Sequence, residues 1–188
     1  VRASLFTNCA IGVSAKDDAR ALLDFCTITD NSSFGIQAEN KNGDDAPSFY
    51  EISNSIIWNN SEDIRTDYDP ADITLRYSLV GQPWPNAGEQ DQSTLNDNPL
   101  FVDPATRNYY LSSQSPARNA ANPEQALDPD GAPRDLGCYS YDKVFDGAGS
   151  EIRWVAANGP YRITSDAVVP PGGNLIIEAG TNIYFTPG

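Results

Sequence analysis

An all-β chain is the fold class that this 188-residue sequence predicts. Three observations predict it. Helical periodicity is nearly missing. Short β-rich runs such as Phe49-Tyr-Glu-Ile52, Ser55-Ile-Ile-Trp58, Ile73-Thr-Leu-Arg-Tyr77 and Leu175-Ile-Ile-Glu178 alternate with clusters of Asn, Asp, Gly, Ser and Pro. Apolar and asparagine positions also recur with a period in the twenties. A period of that length built from short strands is the mark of a parallel β-solenoid, here with irregular loops.

The repeat aligns on asparagine. Leu5-Phe-Thr-Asn8 precedes Ile11-Gly-Val13, Ile28-Thr-Asp-Asn31 precedes Phe34-Gly-Ile36, and Ile57-Trp-Asn-Asn60 precedes Ile64. In that alignment Leu5, Ile28, Ile57 and Val80 share a column. So do Leu23, Ile52 and Leu75, and so do Cys26, Ser55 and Ser78. One coil cannot bury its own inner face. Stacked coils place like side chains about 4.8 Å apart, so apolar columns fill the interior. Asparagine at a repeated turn stacks as well, because its amide bonds the next amide and its backbone tolerates left-handed conformations. Asn8, Asn31 and Asn60 are therefore expected to form a structural ladder; contacts from them to a polar ligand would leave their spacing unexplained. Residues 15–24 have helix-forming composition without a clear cap, and a loop leading into a strand fits them equally well. The run Asn40-Lys-Asn-Gly-Asp-Asp-Ala-Pro47 in the longest coil is the best candidate for a projecting loop.

Composition narrows the function. With 12 basic and 26 acidic residues the formal net charge is -14, which repels nucleic-acid phosphates. There is no histidine, so no imidazole metal site, triad or proton shuttle exists within this sequence. Cys9, Cys26 and Cys138 are an odd count without a C-x-x-C pair, and small buried core thiols are expected. No run of eighteen apolar residues suggests a membrane span. Neither a signal peptide nor any Met is visible, so the sequence reads as a mature product or a piece of something longer.

A second set of motifs follows. Asn98-Pro-Leu-Phe-Val-Asp-Pro104 leads to Tyr109-Tyr-Leu111, Ser115-Pro-Ala117 and Asp128-Pro-Asp-Gly-Ala-Pro-Arg134-Asp-Leu-Gly137. In that order and spacing they resemble the closing segment of bacterial right-handed parallel β-helix proteins, as do Tyr77-Ser-Leu-Val80 and the Trp-Pro insertion within loop-like residues 81–98. The resemblance implies late strands at residues 98–104 and at Tyr109-Tyr-Leu111, a turn at Ser115-Pro-Ala117, and packing of Leu100, Phe101, Tyr110, Leu111 and Ala117 at the end of the solenoid. Asn119, Asn122 and Cys138-Tyr-Ser-Tyr141 depart from the family pattern. Beyond a boundary near residues 142–149, Gly159–Pro170 and Gly173–Gly188 resemble the opening coil of another β-helix. The expected organisation is thus 1–141 as the terminal coils of a right-handed parallel β-helix, and 142–188 as a linker with the opening coil or coils of a second β-solenoid segment. Both ends of the sequence look cut from a stack. Leu5 and Phe6 on one side, and Ile183 and Phe185 on the other, are the expected assembly residues for neighbouring solenoid modules or for identical copies end to end.

Candidate chemistry is sparse. Asp128, Asp130 and Asp135 on a Gly-containing turn are a candidate Ca2+ site, although the later Glu of an EF-hand is missing; a solvated turn is the plainer reading, and no cofactor is expected. Trp58, Trp84 and Trp154 could stack on sugar rings; Trp84, between two prolines, is the best candidate for stacking on a polysaccharide, while Trp58 fits burial or coil-edge packing. Many right-handed β-helices are lyases or glycosidases, which need converging carboxylates with a basic residue, or a carboxylate pair in a cleft. Only three lysines are present, Lys16, Lys41 and Lys143, and no catalytic residues are expected. What the resemblance implies is a structural or adhesive module of a secreted or cell-surface bacterial protein, and the open ends add head-to-tail assembly into a fibre to that expectation. A carbohydrate-binding or polysaccharide-degrading β-helix domain is the alternative.

Overall fold

The computed structural model describes residues 1–17, 19–39, 49–66, 72–82, 93–112, 114–128, 132–139, 151–154, 161–163 and 174–185. The chain divides into two compact units, Val1–Leu100 with Gln114–Ser140, and Phe101–Ser113 with Tyr141–Gly188.

In the first unit the chain makes repeated passes. The first holds β1 (Leu5–Thr7), β2 (Ile11–Lys16) and β3 (Arg20–Asp24). The second holds β4 (Thr27–Thr29), β5 (Phe34–Glu39) and β6 (Phe49–Ser53). The third holds β7 (Ile56–Trp58), β8 (Glu62–Thr66) and β9 (Asp72–Arg76), and β10 (Leu79–Val80) opens a fourth. Equivalent strands pair in parallel as three sheets, β1-β4-β7-β10, β2-β5-β8 and β3-β6-β9. One core draws on all three, with Ile28, Ile57 and Val80 from the first, Ala15, Ile36, Ala38 and Ile64 from the second, and Leu23, Tyr50, Ile52, Ile73 and Leu75 from the third. Tyr50 is almost wholly enclosed, and its hydroxyl donates to the Gln37 carbonyl at 2.7 Å, so the core buries no unpaired phenol there.

The register matches the expected columns in two places and shifts in a third. Leu23 pairs with Ile52, and Ile52 with Leu75. The Cys26 amide donates to Ser55 Oγ at 3.0 Å, and the Ser55 amide to Ser78 Oγ at 3.3 Å. Ile28, however, pairs with Phe6 rather than Leu5; Leu5 sits beside Thr27 on the opposite side of the sheet. Residues 15–24 resolve to strand: β2 runs to Lys16, and β3 begins at Arg20.

Tight corners separate the strands. Ala3, Phe25, Asn54 and Tyr77 adopt positive φ before the strands of the four-stranded sheet, and Asn8, Asp30 and Asn59 adopt it after them. Asn and Asp accept that conformation readily. An aromatic residue there costs roughly 1–2 kcal/mol, which other contacts must offset. The candidate projecting loop at 40–47 lies between β5 and β6, outside the described residues.

The second unit is built differently. β11 (Phe101–Asp103) and β12 (Asn108–Leu111) are antiparallel, joined through a 3-10 turn at Pro104–Thr106 and a left-handed Arg107. These are the two late strands expected from the resemblance, but Tyr109 and Leu111 are the buried residues, Tyr110 is only half-buried, and Leu100 is exposed. β13 (Glu151–Trp154) pairs in parallel with β15 (Asn174–Ile177), and β14 (Tyr161–Ile163) with β16 (Ile183–Phe185). The Trp154 ring is buried and stacks on Tyr161 at 4.7 Å between centroids. The expected boundary at 142–149 lies outside the described residues.

Candidate functional site

Two constructions carry the chemistry of the first unit: an amide ladder at one corner, and a strap laid across the four-stranded sheet. The ladder uses Asn31 and Asn60. Asn31 Nδ2 donates to Asn60 Oδ1 at 2.8 Å and to the Phe6 carbonyl at 3.2 Å, while Asn31 Oδ1 accepts the Cys9 amide at 3.0 Å. Asn60 repeats the pattern one pass on, with Nδ2 donating to the Ile28 carbonyl at 3.1 Å. Its forward acceptor is not an asparagine but Asp63, whose Oδ1 takes Asn60 Nδ2 at 2.9 Å and the Asn60 amide at 3.1 Å. Asp63 Oδ2 accepts the Gln82 amide at 3.0 Å.

Asn8 is not a rung. It occupies the left-handed position equivalent to Asp30 and Asn59, and its amide turns to Thr7 Oγ1 at 2.9 Å. Cys9 holds the rung position in the first pass. That side chain is exposed, against the expected buried thiol. The ladder, together with the Gly35 and Asp63 carbonyls of the following passes, explains two glycines. A Cβ on Gly12 would lie 2.9 Å from Asn31 Nδ2, and one on Gly35 would lie 2.7 Å from Asn60 Nδ2. In the third pass the equivalent position is Asp63 itself.

Asp63 is a buried carboxyl. Burial pushes its pKa above the ordinary 3.8, while hydrogen bonds from Asn60, Gln82 and Gly81 pull it down. The strand neighbours Glu62 and Arg65 pair with each other at 3.3 Å and leave Asp63 to its amide donors.

The strap comprises residues 114–128 and 132–139, which carry the second half of the motif set. It covers the side of the four-stranded sheet that faces away from the shared core, where Thr27, Ile56 and Leu79 are buried. Gly137 donates its amide to the Asn54 carbonyl at 2.8 Å, and Cys138 donates to Thr27 Oγ1 at 3.0 Å. Gly137 has φ +83, and a Cβ there would meet Thr27 Oγ1 at 2.6 Å, so only glycine fits. Asn54 is a second hook: its Oδ1 accepts the Asn122 amide at 2.8 Å, and its Nδ2 donates to Asp24 at 2.7 Å. The Arg134 guanidinium lies 4.0 Å from the centroid of the Phe25 ring, the strained corner residue, with Arg2 more distant at 5.4 Å. This contact stabilises by about 0.5–2 kcal/mol and offsets the cost of positive φ at Phe25.

Several of the described motif residues thus have structural tasks. Ser115 Oγ donates to the Pro99 carbonyl and accepts the Ala117 amide, forming the expected turn. Ala117 and Leu136 are buried and joined by a backbone bond. Asp135 Oδ1 accepts the Asn119 amide at 2.7 Å, and Asp128 Oδ2 accepts the Asp135 amide at 3.0 Å. Asp128 also faces Arg134 at 3.8 Å. Two of the three candidate calcium ligands therefore already hold the strap in shape. Asp130 lies outside the described residues, and among the described residues no group of three His, Cys, Asp or Glu side chains is placed to hold a metal ion.

The other expected sites separate. Trp84 lies outside the described residues, as do Lys41 and Lys143. Lys16 pairs with Glu39 at 2.7 Å. Trp58 sits in register with Thr29, half-buried. Of the assembly residues, Leu5 and Phe6 are partly buried on β1, Ile183 is partly buried on β16, and Phe185 is 74% exposed beside Tyr184. Sequence reasoning missed Asp63, Phe25, Asn54 and the strap contacts of Arg134 and Gly137. The Gly12, Gly35, Asp63 substitution within one column was the available signal for the first. Among the described residues no helix is long and apolar enough to cross a membrane.

Comparison with protein-family models, with curated proteins and with solved structures gives no match.

Proposed function

We propose that this chain is a structural and adhesive module of a secreted or cell-surface protein, folded as a right-handed parallel β-helix. It stacks end to end on neighbouring solenoid modules or on identical copies, building a fibre. The observation that supports this reading is the residue-for-residue parallel register across three sheets with one shared core. Such a stack is stiff, because every pass is tied to the next by ladder hydrogen bonds and apolar columns. The exposed Tyr184 and Phe185 on β16 supply apolar area for the next layer, and parallel strand edges supply the hydrogen bonds.

Negative-stain electron microscopy of the purified chain over a concentration series tests this. Filaments whose axial repeat is a whole number of passes, at about 4.8 Å each, are expected. A Phe185→Lys variant is expected to shorten them. Single particles at every concentration would overturn end-to-end stacking.

A further inference from the structure

We infer that Asp63 is a stop for the amide ladder: an acceptor-only rung that ends the repeatable corners and pins the start of the fourth pass. The argument begins with direction. In each rung the side-chain amide donates forward to the next oxygen and backward to a carbonyl of the preceding pass, as Asn31 does to Asn60 and Phe6, and Asn60 to Asp63 and Ile28. A chain of amides pointing one way leaves its forward donor without a next rung at the leading end, where Asn60 Nδ2 has besides Asp63 and Ile28 only the longer 3.3 Å contact to the Trp58 carbonyl. In a buried corner that leftover donor is costly unless something accepts it.

The fourth pass has no asparagine to offer, since the sequence after Val80 runs Gly81-Gln82-Pro83. Asp63 solves this from within the third pass. Only three residues beyond Asn60, it folds its carboxylate into the place where the next rung's oxygen would stand. A carboxylate is suited to this because it accepts at both oxygens and donates at neither. Oδ1 takes the amide and side-chain donors of Asn60, and Oδ2 takes the Gln82 amide. The same group that closes the ladder therefore positions the backbone of the next pass.

Space confirms the one-off nature of the arrangement. At the equivalent position of the two earlier passes a side chain is impossible, because the carbonyl of the following pass (Gly35, then Asp63) and the Asn31 and Asn60 amides crowd it together. In the third pass no further asparagine rung arrives among the described residues, and the corresponding volume holds the Asp63 side chain. Gly81 then has to be small, since a Cβ there would lie 2.7 Å from Asp63 Oδ2. Corner and stop are thus mutually exclusive. An asparagine rung on the fourth pass and Asp63 in its present place cannot coexist. This inference concerns the isolated chain and does not depend on fibre formation.

Residue-resolved hydrogen exchange by NMR on the full chain tests it, comparing wild type with Asp63→Asn. The substitution keeps the shape but turns one acceptor into a donor that faces other donors. Exchange at the Asn60 and Gln82 amides is expected to quicken at least tenfold more than at Leu23 and Ile52 in the three-stranded sheet. Equal changes at all four positions, or none, would overturn the role. Wild-type protein supplies a readout with no folding risk: the Asp63 carboxyl carbon at neutral pH is expected at the shift of an ionised carboxylate, and a protonated acid there would overturn the acceptor-only rung.

Discussion

On one side of the β1-β4-β7-β10 sheet stand Phe6, Ile28, Ile57 and Val80, one from each pass. On the other stand Leu5, Thr27, Ile56 and Leu79, equally regular in register. The first row meets like rows from two other parallel sheets and closes a shared core. The second meets the strap, whose contacts with it are each made once. The repeat solves only half of the burial problem. A parallel sheet that is apolar on both sides needs a cover that the repeat does not supply, and here a non-repeating segment supplies it. It holds on through a glycine, an asparagine hook and an arginine over an aromatic ring.

The comparison is most sharply tested by truncating adjacent residues. Ile57→Ala is expected to cost about 2–5 kcal/mol, since its neighbours come from rigid strands that cannot collapse into the cavity. Ile56→Ala is expected at the lower end of that range, because the strap can settle toward the sheet. Urea unfolding of both variants measures this, and a larger loss from Ile56 would reverse the ranking of the two faces. Gly137→Ala comes next, at about 1–3 kcal/mol, from positive φ together with the clash at Thr27. Loss of protection confined to the strap in hydrogen exchange would accompany it; an unchanged midpoint would mean the strap is not seated there.

Alkaline titration probes both faces together. Burial raises the thiol of Cys26 in the core, and it raises that of Cys138 on the strap. The Tyr50 hydroxyl in the core is raised as well. In each case the folded state keeps a proton that the unfolded chain loses. Stability from these groups is therefore complete below the ordinary thiol value of 9.0 and is lost as pH climbs through the raised values. Thermal midpoints between pH 8 and 11 are expected to fall. A flat profile that persists in Cys26→Ser would show that these groups are not desolvated. Arg134→Gln is expected to cost about 1 kcal/mol through the Phe25 contact. Adding salt should change that cost little, because Asp128 is distant at 3.8 Å. Smallest is a gain: Cys9→Asn adds a rung whose amide can reach Asn31 Oδ1, raising stability by about 0.5–1 kcal/mol. A neutral or negative result would show that the first corner cannot host the amide.

The near-miss at Asn8 shows where sequence alignment fails. Between the first and second passes Phe6 and Ile28 pair at one offset, but Ile11 and Phe34 pair at an offset one residue longer. The second pass holds an extra residue in that corner, around Ser32 and Ser33, whose amides bond the Cys9 and Ala10 carbonyls. Aligning on asparagine hid the insertion and moved Asn8 and Leu5 one place out of column. The columns Leu23-Ile52-Leu75 and Cys26-Ser55-Ser78 lie away from that corner and were read correctly.

By itself the sequence determined the all-β character, the passes in the twenties, most of the apolar columns, and the pairing of Asn31 with Asn60. All of these repeat, and a repeated requirement leaves a spacing that can be counted. Only the tertiary structure decided that Asp63 ends the ladder, that Cys9 holds the empty rung, and that the strap lies where it does. Asn122 meets Asn54 across 68 residues, and Cys138 meets Thr27 across 111. Contacts made once, between residues so far apart, follow from how the chain packs and leave no period to read.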